Sequence, residues 1–306
     1  MRSYLRIRSP WGQLALFFSL LGMALMVTSL LGAFLLLAKG VGLNDIKNLD
    51  FTNPRILETL KWIQGLSSIT IFLVPGLVFA FIAFRRDPLF FLGLREPEKL
   101  NYFILAILIM GFSVPFASWL GEINQHIPLA KWMVDMEKDA NKQIDAFLKV
   151  RAKMDIAVNL FIIAFLPAVC EEVCFRGGLQ RILIHLFKSP WAGILLTAIL
   201  FSAFHMQFAG FLPRMFLGIL LGLLYWYSGS LWVSMLAHFF INGLQVIAVL
   251  YFPRLVDDNP SVPWFLVILS AALAYGVFLI IRNQSKISYA RVYDFEEVNE
   301  RNPFIA

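Results

Sequence analysis

From Trp11 to Ala38 the chain runs without a single charged residue. A stretch that long and apolar needs a solvent other than water. At 1.5 Å per residue it is more than long enough to cross a bilayer as one helix. Arg2, Arg6 and Arg8 precede it, as in a signal peptide, but the run far exceeds a signal's apolar core and shows no small-residue cleavage site before Lys39, so it reads as a retained helix. The rest of the sequence agrees: 59% of residues are hydrophobic, only 15% are charged, and mean hydropathy is +0.73. Soluble domains carry about a quarter charged residues. A transmembrane β-barrel would show alternating segments of roughly ten residues, whereas these apolar stretches are long and unbroken. The expectation is an all-α integral membrane protein, a bundle of about eight transmembrane helices.

Further spans read from Ile63 to Phe84, from Tyr102 to Gly121 with Pro115 inside, from Ile156 to near Lys188-Ser189-Pro190, from Trp191 to about His205, from about Phe211 to Tyr227, from Leu231 to Tyr251 and from Val262 to Ile281. A proline inside a membrane helix is tolerated where neighbours re-satisfy the freed backbone groups. The polar segment between Glu122 and Asp155 is too short for a domain and reads as an amphipathic cap or surface loop. This divides the chain into an N-terminal membrane region (1–155) with about three spans and a polar loop, a central group of helices (156–250), and a last span with a polar tail (251–306). Arg2, Arg6, Arg8, Arg85, Arg86, Arg282 and Lys286 fall on one side of this scheme, with both termini. The positive-inside rule makes that side cytoplasmic. The net charge of +6 is carried by short loops beside apolar spans. It points to membrane lipid as a partner, and no nucleic-acid motif is present.

Charged side chains inside a bilayer cost about 3 kcal/mol each even on lenient insertion scales, and mark functional sites by default. Here Glu171, Glu172, Arg176, His205, His238 and Asn242 stand in or beside three apolar spans. Glu171 precedes the turn at Ser189 by nearly as many residues as His205 follows it, so two antiparallel helices bring both to one depth, roughly 25 Å from the turn. His238 and Asn242 are one helical turn apart, as are Glu172 and Arg176. Neighbouring positions differ by about 100° around a helix, so one of the two glutamates faces the reaction and the other anchors the helix, through Arg176. Carboxylate, imidazoles and carboxamide around one cavity suit hydrolysis. A glutamate can act as general base toward water, histidines can orient that water or hold a metal, and donors can stabilise an oxyanion. Cys170 and Cys174, one turn apart, read as small packing residues, Arg214 as an arginine reaching for an interface, and Gly218-x-x-x-Gly222 as a close helix contact.

Glu171-Glu172-x-x-x-Arg176, Phe201-x-x-x-His205 and His238-x-x-x-Asn242 resemble the three ordered motifs of the CAAX-protease-like (CPBP) family, which includes type II CAAX prenyl endopeptidases and bacterial Abi proteins. The resemblance covers about 156–250. It implies an intramembrane endopeptidase, metallo- or glutamic, that cuts near the C-terminus of a membrane-associated and, for CAAX substrates, prenylated protein or peptide. In that reading Glu171 activates water and His205 positions it or binds metal. His238 and Asn242 bind metal or stabilise the oxyanion, while Glu172 and Arg176 support the site. Zinc or another divalent ion on Glu171, His205 and His238 is one form of the mechanism, and a metal-free glutamate mechanism is the other. The expected location is the cytoplasmic (inner) membrane of a bacterium, with multiple passes. The competing reading is a non-proteolytic scaffold or bacteriocin-immunity protein that uses the same cavity for binding. A transporter would show related halves with paired broken helices, and this chain keeps its polar residues in one half.

Overall fold

Three helices begin with the same two-residue signal, a polar cap followed by proline. Ser9-Pro10 opens α1 (Pro10–Ala38), Asn53-Pro54 opens α2 (Pro54–Ala83) and Ser189-Pro190 opens α8 (Pro190–Phe204). In each, the cap side chain accepts a backbone N–H of the first turn, and the proline stands where no N–H is needed. The signal starts α2 well before Ile63, so that Lys61 falls within the helix.

The architecture comes from a computed structural model that describes residues 6–7, 9–42, 45, 49–84, 87–148, 153–252, 261–289 and 292. Arg2, Arg8, Arg85, Arg86 and the chain beyond 292, which entered the orientation and the tail above, lie outside the described residues. The remaining helices are α3 (Pro88–Leu92), α4 (Asn101–Phe112), α5 (Val114–Gln125), α6 (Lys131–Leu148), α7 (Met154–Phe187), α9 (Phe211–Ser228), α10 (Leu231–Tyr251) and α11 (Trp264–Gln284). No strand occurs among the described residues. Six helices are long and apolar enough to cross a membrane, and α4 with α5 makes a seventh span bent by 41°. With the 15-residue α8, about 22 Å long, the total is about eight. The protein is an integral, multi-pass, all-α membrane protein.

Prolines shape the long helices. Pro75 and Pro167 each follow a six-residue π-helical stretch, Ser68–Leu73 in α2 and Leu160–Phe165 in α7. The widened turn makes room where the proline ring removes a ladder bond. At Pro115 the repair comes from a neighbour. Ser270 of α11 accepts the Phe116 N–H (3.1 Å) and donates its own proton to the Phe112 carbonyl (2.6 Å), inserting itself into one i→i−4 bond at the bend.

α7 is the axis of the bundle. Every residue from Cys170 to Ile184 is buried, enclosed by α1, α2, α8, α9 and α10. The starts of α1 and α4 and the ends of α2 and α11 gather at one end, joined by the Arg6 N–H to the Ala83 carbonyl (2.8 Å) and Asn101 Nδ2 to Gln284 Oε1 (2.9 Å). At the other end lies α6. Its Phe147 packs against Leu36, Val41 and Leu60, so the polar segment is a cap helix rather than a loop.

The α9–α10 turn is pinned from the loop after α3. Gly93 accepts the Leu231 N–H (2.7 Å), and Arg95 Nε donates to the Gly229 carbonyl (2.8 Å). Burial lowers the Arg95 pKa to about 10. Gly93 (φ +95°) and Gly229 (φ +67°) both hold left-handed conformations that favour glycine.

Gly218 and Gly222 line the face of α9 that meets α7 and α8. A Cβ at Gly222 would come within 2.7 Å of Gln180 Oε1 and 2.9 Å of Ile194 Cγ2. Gly222→Ala is therefore expected to destabilise the protein by about 1–3 kcal/mol, the usual cost of overpacking. Gly276→Ala in α11, whose Cβ meets nothing within 4 Å, should not. Thermal unfolding in detergent distinguishes the two, and an unchanged midpoint for Gly222→Ala would contradict the close packing.

Candidate active site

The anchor of the site is Glu172, fully buried in the π-helical stretch Glu172–Gln180 of α7. One oxygen, Oε1, accepts Arg176 Nη1 at 2.7 Å and His238 Nδ1 at 2.9 Å. Arg176 is equally buried. Its Nη2 donates to the Gly218 carbonyl at 3.1 Å, and its guanidinium lies 4.4 Å from the centre of the Phe201 ring. One turn on, Gln180 Nε2 donates to the Gly222 carbonyl at 3.0 Å. The two glycines bring the α9 backbone close enough for both bonds. A buried charge is tolerable only when paired and hydrogen-bonded, and this one is.

Glu171 faces a different way. Its Oε2 is buried with no hydrogen-bond partner among the described residues. It lies 4.0 Å from His205 Nε2 and 3.9 Å from His238 Nε2. His205 comes from the end of α8 and His238 from the middle of α10, so three helices meet here. The neighbours of each imidazole fix its tautomer. His205 Nδ1 is 2.8 Å from the Phe201 carbonyl, which can only accept, and His238 Nδ1 faces the Glu172 carboxylate. Each Nδ1 therefore carries a proton, and a ring in its neutral form turns an Nε2 lone pair toward Glu171. Asn242, one turn beyond His238 on α10, is half-buried and makes no hydrogen bond among the described residues.

Phe201 holds the group together, a role that its place in the sequence does not reveal. Its ring meets the edges of His205 (4.9 Å between centroids) and His238 (5.7 Å) and lies under Arg176. Asn124 at the end of α5 is a second residue that spacing alone does not single out. It accepts the Leu212 N–H (2.7 Å) and donates to the Phe208 carbonyl (2.8 Å), clasping the loop that follows His205. Cys170 and Cys174 are free and buried, away from hydrogen-bonding roles.

Two imidazole Nε2 atoms within 4.0 Å of Glu171 Oε2 suit either a metal ion or a water molecule, and their spacing discriminates. Zinc at about 2.0–2.2 Å from each ligand would hold tetrahedral neighbours about 3.4 Å apart, closer than the 3.9 and 4.0 Å found. No group of three His, Cys, Asp or Glu among the described residues has metal-site geometry. A water about 2.8 Å from each atom fits the observed gaps. The Glu171, His205 and His238 set does not fit a zinc ion in this arrangement.

Residues 153–244 match the family described as Type II CAAX prenyl endopeptidase Rce1-like. The match covers less than a third of the chain and supports the resemblance to the CAAX-protease-like (CPBP) family. All six polar site residues fall inside it. The matched segment comprises α7, α8, α9 and the first two-thirds of α10, the elements that build the candidate site. No curated protein and no solved structure matches the chain.

Proposed function

We propose that the protein is an intramembrane endopeptidase in which Glu171 activates a water molecule held by His205 and His238. The observation that carries this reading is the approach of His205 Nε2 (4.0 Å) and His238 Nε2 (3.9 Å) to Glu171 Oε2, which has no hydrogen-bond partner among the described residues. A water there donates to two of the three acceptors. When Glu171 takes one of its protons, the oxygen attacks the peptide carbonyl. As the C–N bond breaks, Glu171 returns the proton to the departing nitrogen. The Nδ1–H of His238 is committed to Glu172, so stabilisation of the oxyanion rests on the carboxamide of Asn242. Glu172, Arg176 and Phe201 keep the imidazoles in register.

The substrate is a membrane-associated protein or peptide cut near its C-terminus, and the family match favours the prenylated CAAX class. If the basic flanks set the orientation, with the termini in the cytoplasm of a bacterium, the His205 end of the site points toward the opposite face, where α6 lies. A substrate then reaches it from within the bilayer.

The test is cleavage of a fluorogenic prenylated CAAX peptide, and of its unprenylated twin, by purified protein in detergent. Each is assayed with and without a strong chelator and with bound metal quantified. The expected result is cleavage that survives chelation, with the prenylated peptide preferred. Loss of activity on chelation and its return with zinc would overturn the water mechanism. No cleavage of either peptide would count against the endopeptidase reading.

A further inference from the structure

Two arginines stand close to the site, and they differ in one respect. Arg176 is ion-paired with Glu172. Arg214, in the first turn of α9, has no carboxylate within ion-pair distance among the described residues. Its guanidinium rests instead on neutral acceptors, with Nη1 on the Gln207 carbonyl (3.2 Å) and Nη2 on Gln207 Oε1 (2.7 Å). Gly210 leaves room for this posture, since a Cβ there would lie 3.1 Å from Nη2. The charge is therefore held in place by the very loop that begins at His205, and it acts electrostatically on both Glu171 and His205. A fixed, charged guanidinium at the edge of a membrane site, with no ion-pair partner among the described residues, calls for an anion.

Glu137 shows where that anion would rest. From the cap helix α6, its Oε2 accepts the Ala209 N–H at 3.2 Å, on the same loop and within electrostatic reach of Arg214. A carboxylate thus already occupies a backbone donor beside the guanidinium. It is delivered by a helix that is otherwise largely exposed along this half.

We propose that Arg214 is a substrate-binding residue that receives the free α-carboxylate of the peptide cleaved at Glu171, with the carboxylate displacing Glu137 from the Ala209 N–H. The inference rests on the endopeptidase reading above. The guanidinium fork matches a carboxylate in shape and charge, and the α-carboxylate is the one anion every peptide cut near its C-terminus carries. Binding it on the loop next to His205 selects peptides whose terminus lies only a few residues past the scissile bond.

The test uses two peptides identical but for the terminus, one a free acid and the other a carboxamide. They are assayed with the wild type, Arg214→Gln and Glu137→Gln. The wild type should favour the acid in kcat/KM by about tenfold or more, the scale of one charge-assisted contact. Arg214→Gln should bring the acid-to-amide ratio close to one, and Glu137→Gln should raise it through a lower KM on the acid. Equal cleavage of both peptides by the wild type would overturn the proposal and leave the endopeptidase reading intact. Equal losses on both peptides in Arg214→Gln, with the ratio kept, would also overturn it and make Arg214 structural. Should that variant fail to fold, the wild-type ratio and Glu137→Gln still decide. Cleavage of neither peptide by the wild type would remove the underlying reading and this proposal with it.

Discussion

Glu171→Gln is expected to yield a protein that purifies, folds and unfolds like the wild type yet cleaves its peptide at least about 10²–10⁴-fold more slowly, the range attributable to a positioned general base. The reason is the contrast between the two adjacent glutamates. Glu171 Oε2 makes no hydrogen bond to the rest of the described protein, so the nearly isosteric amide breaks no structural contact. It does remove the only carboxylate that, among the described residues, faces the Nε2 atoms of His205 and His238. An amide cannot take a proton from water at neutral pH. Single-turnover cleavage alongside thermal unfolding in the same detergent checks both halves of the statement. Wild-type rates in Glu171→Gln would end the glutamate mechanism. A variant that loses activity only by unfolding would make Glu171 a structural residue.

Glu172→Ala should behave in the opposite order, with stability failing first. It strips the buried Arg176 guanidinium of its 2.7 Å partner and His238 Nδ1 of its acceptor. Breaking one side of a buried ion pair typically costs about 3–5 kcal/mol, because the remaining charge is left in a low-dielectric interior. The sharper experiment is the double variant Glu172→Leu with Arg176→Met. Replacing both members of a buried pair by apolar residues is often neutral, so much of the lost stability should return. Activity should not, because His238 then has no carboxylate to hold its Nδ1 proton and turn its Nε2 lone pair toward Glu171. Recovery of activity together with stability would show that Glu172 serves only to neutralise Arg176. Failure of the double variant to regain stability would point to the Arg176 bond to Gly218 as the larger contribution.

Much of the architecture was legible because a bilayer leaves a sequence few options. Uncharged runs such as Trp11–Ala38 have to become helices when no water is present to satisfy the backbone. Ser-Pro and Asn-Pro pairs mark where helices start for reasons local to one turn. The matched spacing of Glu171 and His205 about the Ser189 turn needs only the helical rise, and the two side chains do meet across that hairpin. The extent of α2 was harder to read. A hydropathy boundary at Ile63 misses a helix whose first turns are polar and whose Lys61 finds Asn159 Oδ1 on α7 at 2.8 Å.

The sequence by itself determined the class of the protein, its span order, the six polar residues in or beside its central spans and their resemblance to a protease family. Each of these follows from residue type and local periodicity. Only the tertiary structure decided which of the two glutamates is the anchor, because that depends on what α9 and α10 present to each face of α7: the Gly218 carbonyl and His238 Nδ1 on one side, two Nε2 lone pairs on the other. It also decided that Phe201 wedges the two histidines and that Arg214, among the described residues, has no ion-pair partner such as Arg176 has in Glu172. Such relations are set by side chains from distant parts of the chain meeting at ångström precision, and no spacing along one helix encodes them.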